Sequence, residues 1–287
     1  MIMSATSSRK KLRSMLQPLS STIARLWARR WRGVRFLCYH SVCQPHELTE
    51  LARRTGVISV DGFRRHIEVM RAHGYRVVSM DDALNLVANR VAADSQYVCL
   101  TFDDGRYDNF ANAWPVLRDA GCSAHFFVSS ALVGQTVHDG ADREPDRYMD
   151  VEMLRTIVRE GGSIGSHAHR HVNLTTLTRS TIRSELRESR QILQDLVGCT
   201  IDTHAYPWAV YDRYVLAETR EAGYRYAFAG GVGGTVKTLD GDHAKLTIPR
   251  NTIRSGPDRE ENYVTVCGGM DVFSPYSTLK MRMRYRT

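Results

Sequence analysis

The sequence predicts an α/β fold, with parallel strands joined by crossover helices and curled toward a barrel. Three observations predict it. Short apolar, β-prone runs alternate with helix-period segments between residues 34 and 249, with no internal repeat or low-complexity linker between them. Polar side chains gather where the apolar runs stop, at His40, Asp103, Asp104, residues 165–171, residues 206–208 and Arg250, as they do on the loop face of a barrel. The chain has 287 residues, enough for one core of this kind, which takes about 200 to 250.

Residues 34–40 (VRFLCYH) read as a first strand ending in Tyr39 and His40. Residues 61–73 form a helix, with Phe63, Ile67 and Met70 at i, i+4 and i+7 and Gly74 as the stop. Residues 75–80 form a short strand and residues 81–90 a second helix. The run 97–102 (YVCLTF) is a buried strand that ends in Asp103, Asp104 and Gly105. A helix over 108–120 stops at Gly121, and 124–128 (AHFFV) is another buried strand. Residues 134–147, rich in Asp and Gly, read as an inserted surface loop. A helix over 151–160, closed by Gly161 and Gly162, leads into 163–166 and a histidine cluster. Residues 181–197 carry Ile182, Leu186, Ile192, Leu193, Leu196 and Val197 on one side and end at Gly198, the clearest helix of the chain. Residues 201–206 form a strand ending at Pro207, 212–222 a helix, 224–229 a strand, and 246–249 the last strand.

The charge balance divides the chain into domains. Residues 1–33 hold eight bases and no acid, which accounts for the whole net charge of +8 and leaves 31 basic against 31 acidic residues elsewhere. A neutral body offers no argument for nucleic acid as a partner, and none is expected. In the basic segment Leu12, Met15, Leu16, Leu19, Ile23, Leu26, Trp27 and Trp31 recur near helical spacing across Pro18. It reads either as an amphipathic stretch for an anionic membrane surface or as a disordered arm. It lacks both a continuous apolar core and a run of about 20 apolar residues, so neither a signal peptide nor a membrane span is expected. Six cysteines without a CxxC spacing read as reduced and structural. These features point to a cytoplasmic body with peripheral contact at the inner membrane surface. Residues 34–254 form the domain, and 255–287 an extension ending in Lys280, Arg282, Arg284 and Arg286.

Two adjacent carboxylates at a strand end must repel, share a proton or be separated by a cation. Residues 165–171 (GSHAHRH) offer imidazoles to hold one. His167 and His171 are four apart, so a helical turn would put both on one side. Two imidazoles and a carboxylate make a zinc site with an open position for water, whose pKa falls to about 7. Asp104 as third ligand with Asp103 as base is one assignment. His169 paired with either neighbour, or a carboxylate serving as helix cap, are the alternatives.

At these residues the chain resembles the polysaccharide deacetylase family, also called the NodB-homology or carbohydrate esterase 4 group. The match is carried by TFDDG (101–105) and SHAHRHVNL (166–174), in that order. CYHSV (38–42), AHFFV, DVEMLRTIVREGGSIGSH (150–167), AYPWAVYD (205–212) and EAGYRYAFA (221–229) extend it over residues 36–253. The resemblance implies a distorted or incomplete seven-stranded (β/α) barrel and metal-dependent release of acetate from N-acetylated sugars. It implies Asp103 as base, Asp104, His167 and His171 as ligands of a divalent metal, Zn2+ first among them, and no role for His169.

Three departures stand out. Where many members have RxPYG, this chain has AYPWA, with Ala205 at the arginine position and Ala209 at the glycine position, which resembles the exopolysaccharide deacetylase branch. Arg250 is the candidate for the missing positive charge. The late LxH histidine of many members is absent, since the last strand reads LTIPR. His40 is then the candidate proton donor, ahead of His243. Tyr206, Pro207 and Trp208 are expected to bind substrate, with Trp208 either stacked on a sugar face or packed in the core. The expected function is N-deacetylation of N-acetylhexosamine units in a polysaccharide or its lipid-linked precursor. The alternatives are hydrolysis of a small non-peptide amide and a weakly catalytic, glycan-binding scaffold.

Overall fold

The computed structural model describes residues 31–48, 56–91, 94–138, 146–230, 234–254, 262 and 265–267. The first half comprises β1 (Gly33–Tyr39), β2 (Ser41–Cys43), β3 (Val57–Ser59), α1 (Val60–Ala72), β4 (Arg76–Val77), α2 (Met80–Ala88), β5 (Gln96–Phe102), α3 (Trp114–Asp119) and β6 (His125–Val128). Then follow β7 (Thr136–Val137), β8 (Asp146–Arg147), α4 (Val151–Arg159), β9 (Ser163–Ser166), α5 (Arg179–Val197), β10 (Thr203–Ala205), α6 (Arg213–Glu221), β11 (Tyr226–Phe228), α7 (Gly241–Lys245) and β12 (Asn251–Thr252). The proposed basic segment, apart from its last residues, and most of the C-terminal extension lie outside the described residues. Among those described, no helix is long and apolar enough to cross a membrane.

The main sheet runs β11-β10-β9-β6-β5-β1-β12, with β4 beside the start of β5. Its ladders are parallel, and its ends approach each other. Ile248 bridges Phe228 of β11, and three residues later Asn251 pairs with Leu37 of β1. The result is a distorted (β/α) barrel with seven strands along its path.

Every residue of β1 is buried, as in a parallel strand covered on both faces. Phe36 of β1 and Phe127 of β6 both meet Phe228 of β11, with ring centroids 5.1 and 5.3 Å away, contacts that cross the barrel. Each such phenylalanine contributes about 1.5–3 kcal/mol by burial. Alternate residues Leu37 and Tyr39 face the helices, where they join the cluster that includes Phe63, Ile67 and Met70 of α1.

Three of the expected elements take other bounds or another form. The strand over 75–80 shrinks to Arg76–Val77 because Ser79 caps α2, accepting the Asp82 N–H with its side chain. The last ladder lies at Asn251–Thr252 rather than 246–249, since Leu246 is still the cap of α7 and Pro249 has no N–H to give. The helix over 108–120 opens as a π-turn, Asn109–Ala113, ahead of Pro115, which cannot donate to the preceding turn. The inserted loop carries a small antiparallel hairpin, Thr136 opposite Arg147 and Val137 opposite Asp146.

Candidate metal centre

β5 delivers both carboxylates. The Asp103 N–H continues the ladder to the Tyr39 carbonyl at 2.9 Å, and its side chain points to the barrel interior. The chain then turns one residue sooner than the glycine suggests. Asp104 itself has φ 73° and Gly105 φ 75°, so two successive left-handed residues bring the second carboxylate back to the mouth beside the first. A Cβ on Gly105 would stand 3.0 Å from Val128 Cγ1, so that turn also lies tight against β6.

β9 delivers the histidines, though not on a helical turn. Residues 167–171 form a bend in which Ala168 and His171 have φ 60° and 56°. The bend is held from behind by α5. Glu185 Oε2 accepts the N–H groups of His169 and Arg170 at 3.1 and 2.9 Å, and Ser189 Oγ donates to the Ala168 carbonyl at 3.0 Å. The imidazoles of His167 and His171 converge, centroids 4.9 Å apart. His169 turns away, with Nδ1 2.8 Å from Ser130 Oγ, which removes the ligand sets built on it.

Asp104 Oδ1 lies 3.6 Å from His167 Nε2 and 3.2 Å from His171 Nε2. Donors about 2.0–2.1 Å from a tetrahedral ion stand about 3.3 Å from one another, so these three fit one divalent cation. Supporting partners fix the donor atoms. His167 Nδ1 donates to the Ala205 carbonyl at 2.8 Å, leaving the Nε2 lone pair to face Asp104. Arg106 Nε donates to Asp104 Oδ2 at 3.1 Å and is itself tied to Asp146 at 2.8 Å, leaving Oδ1 for the ion. Burial pulls the His167 pKa down to about 4, keeping it neutral and able to ligate. Burial also opposes ionisation of Asp104, but the hydrogen bond from His171 and the charges of nearby cationic groups win and hold its pKa well below the carboxylate range.

The two acids have different partners. Arg250, 1% exposed, reaches up inside the barrel and grips Asp103 with both arms, NH1 to Oδ1 at 2.6 Å and NH2 to Oδ2 at 2.7 Å. Burial would raise the Asp103 pKa. The guanidinium outweighs it, and the group stays ionised below the usual range. His40 is half-buried at the end of β1, with a ring nitrogen within 4.8 Å of Asp103. His243 lies on α7, whose Asp242 and Lys245 line a cavity with Arg225 and Tyr226 at the start of β11, so it belongs to the opposite end of the barrel.

The three residues expected to meet substrate separate. Tyr206 is a core residue, 1% exposed, with its hydroxyl donating to the Leu246 carbonyl at 3.0 Å, and Pro207 is buried with it. Both side chains thus pack in the core rather than at the mouth. Trp208 is 69% exposed, and its ring lies 5.8 Å from that of His171. It takes φ 61° and Ala209 takes φ 59°, conformations that glycine would adopt without strain. A Cβ on Gly230 would fall 2.4 Å from Ala209 Cβ, so Gly230 makes room for the alanine.

Residues 90–227 match the family model described as Polysaccharide deacetylase. YxkH of Bacillus subtilis (strain 168) is 24% identical over 189 residues, 66% of this chain and 61% of that protein. The peptidoglycan-N-acetylmuramic acid deacetylase PdaA of the same organism is 29% identical over 133 residues, 46% of this chain and 45% of PdaA. The chain thus matches less than two thirds of either relative. Among solved structures, the Streptococcus pyogenes deacetylase PplD in complex with acetate superposes with a TM-score of 0.67 at 20% identity, covering 82% of this chain and 98% of PplD. IcaB from Ammonifex degensii gives 0.67 at 21%, covering 83% and 98%. At such identities the likeness is one of fold.

Proposed function

We propose, from the match of residues 90–227 to the polysaccharide deacetylase family, that the chain hydrolyses the acetamide of N-acetylhexosamine units in a polysaccharide or its lipid-linked precursor. The observation that carries this reading is the pairing of two unlike carboxylates. Asp104 faces two imidazoles at ligand spacing, and Asp103 beside it is held ionised by Arg250. A donor set of two imidazoles and one carboxylate is that of hydrolytic zinc sites, and we take Zn2+ as the ion. An ion bound there polarises a carbonyl and acidifies water.

The chain's own groups then divide the work. Asp103 accepts the proton of the attacking water, and the bidentate grip of Arg250 keeps its carboxylate aimed and unprotonated. A base of such low pKa holds a proton only briefly, so it must pass on to the leaving nitrogen. His40 is our candidate for that transfer, supported by its half-buried ring within 4.8 Å of Asp103. Trp208, exposed beside His171, offers an apolar platform to a pyranose face.

Acetate release from N-acetylglucosamine oligomers by the purified, zinc-loaded chain tests the proposal. Asp103→Asn should lower turnover by about 10²–10⁴-fold with metal stoichiometry unchanged. Full turnover in that variant refutes the assignment. Zinc binding without acetate from any glycan tested returns the small-amide or scaffold reading.

A further inference from the structure

Beneath the Asp104 centre lies a second group of possible ligands of different chemistry. Cys38 Sγ, a ring nitrogen of His40 and a carboxylate oxygen of Asp103 lie within 4.8 Å of one another. Cys38 Sγ is 3.5 Å from Asp103 Oδ2 and 4.0 Å from His40 Nδ1. With a metal–sulfur bond of about 2.3 Å and metal–nitrogen or metal–oxygen bonds of about 2.0 Å, tetrahedral ligand edges are about 3.3–3.6 Å. Of the three edges, Cys38–Asp103 therefore already fits, Cys38–His40 closes with about 0.5 Å of ring movement, and His40–Asp103 lies within 4.8 Å. Cys38 and Asp103 are 1% and 3% exposed, while His40 is half-buried, so an ion would enter past the imidazole.

We propose that Cys38, His40 and Asp103 form a second cation site, selective for thiophilic divalent ions such as Cd2+ or excess Zn2+. The sulfur decides the selectivity, because soft ligands favour such ions over Mg2+ or Ca2+. Charge points the same way. Arg250 already offsets the charge of Asp103, so the anion of a filled site is the thiolate, formed only as the ion displaces the thiol proton to solvent. A filled site ties up both Asp103 and His40. It is therefore inhibitory, a consequence that rests on the roles proposed for those two residues.

Titration of the full chain with Cd2+, followed by thiolate-to-cadmium charge-transfer absorption, tests the binding without any turnover. One equivalent of thiolate-bound cadmium is expected. It should disappear in Cys38→Ser, weaken at least tenfold in His40→Gln and persist in His171→Ala, which disables the Asp104 centre. An undiminished band in folded Cys38→Ser, or no band in the unaltered chain, overturns the site. In the turnover assay, excess Zn2+ should lower acetate release at least tenfold in the unaltered chain, and the residual release of Cys38→Ser should not respond. Inhibition that is equal in both overturns the inhibitory role while leaving the absorption result to stand.

Discussion

Asp103 and Asp104 share a peptide bond, lie at the same strand end and are both buried, 3% and 8% exposed, yet they meet opposite kinds of partner. Asp103 points into the barrel and is neutralised permanently by Arg250, a cation carried by the fold 147 residues away. Asp104, turned outward by its left-handed φ, meets the imidazoles of His167 and His171, three donors at the spacing of a divalent cation's ligands. A fixed guanidinium makes a group that is always charged and always aimed. Burial keeps the His167 imidazole neutral, with a lone pair free for a metal. One pair of residues thereby meets two unlike partners, a guanidinium at Asp103 and two imidazoles at Asp104.

The sharpest way to break this contrast is to remove the internal cation. Arg250→Met leaves Asp103 buried without its ion-pair partner, and urea unfolding should show a loss of about 3–5 kcal/mol. Pairing it with Asp103→Asn should recover most of that loss, because the stranded charge is gone. An unchanged urea midpoint in Arg250→Met would mean that the pair does not anchor the barrel.

Acid should separate the two halves by pH. Burial pulls His66, His125 and His167 down to about 4, about 3 and about 4. An unfolded histidine titrates near 6.5. As pH falls from about 6.5 toward 4, the unfolded chain takes up protons that the folded chain refuses, so stability falls with pH over that interval. Each unit of depression is worth about 1.4 kcal/mol. The depressed carboxylates act lower down. Their contribution is present above the unfolded value of about 3.9 and is lost as pH drops through the folded values. Urea midpoints of the metal-free chain should therefore fall in two stages. His167→Gln should flatten the upper stage and Asp103→Asn the lower, and a profile unaltered in both variants removes the distinction.

The smallest effect is expected at the rim. Trp208→Ala removes an exposed ring, so unfolding should move by no more than about 0.5 kcal/mol. The KM for an oligomeric substrate should rise by about 2- to 12-fold, the loss of one aromatic contact of about 0.5–1.5 kcal/mol. An unchanged KM would take the platform out of the site.

Much of this was legible in order and spacing. The alternation of strand and helix, the helix stop at Gly198, where φ is 72°, and the acids at the end of β5 all follow from local preference and period. Other features had no such signal. Glu185 and Ser189 sit four apart within the apolar stripe of α5, a polar interruption that the periodicity conceals, and they support the histidine bend. Arg106 and Asp146, which position Asp104, are separated by 40 residues of sequence and met only when the inserted hairpin folded back. The helix cap at Leu246 and the lack of an N–H on Pro249 shift the last ladder from 246–249 to Asn251–Thr252, a displacement that the apolar run does not signal.

By itself the sequence determined the elements and the ligand types, since hydrophobic period, capping and donor chemistry are properties of nearby residues. Only the tertiary structure decided which partner each acid meets. That choice depends on a left-handed turn at Asp104 and on an arginine that the closing strand carries into the barrel, and neither a turn angle nor a contact across 147 residues is written in local composition.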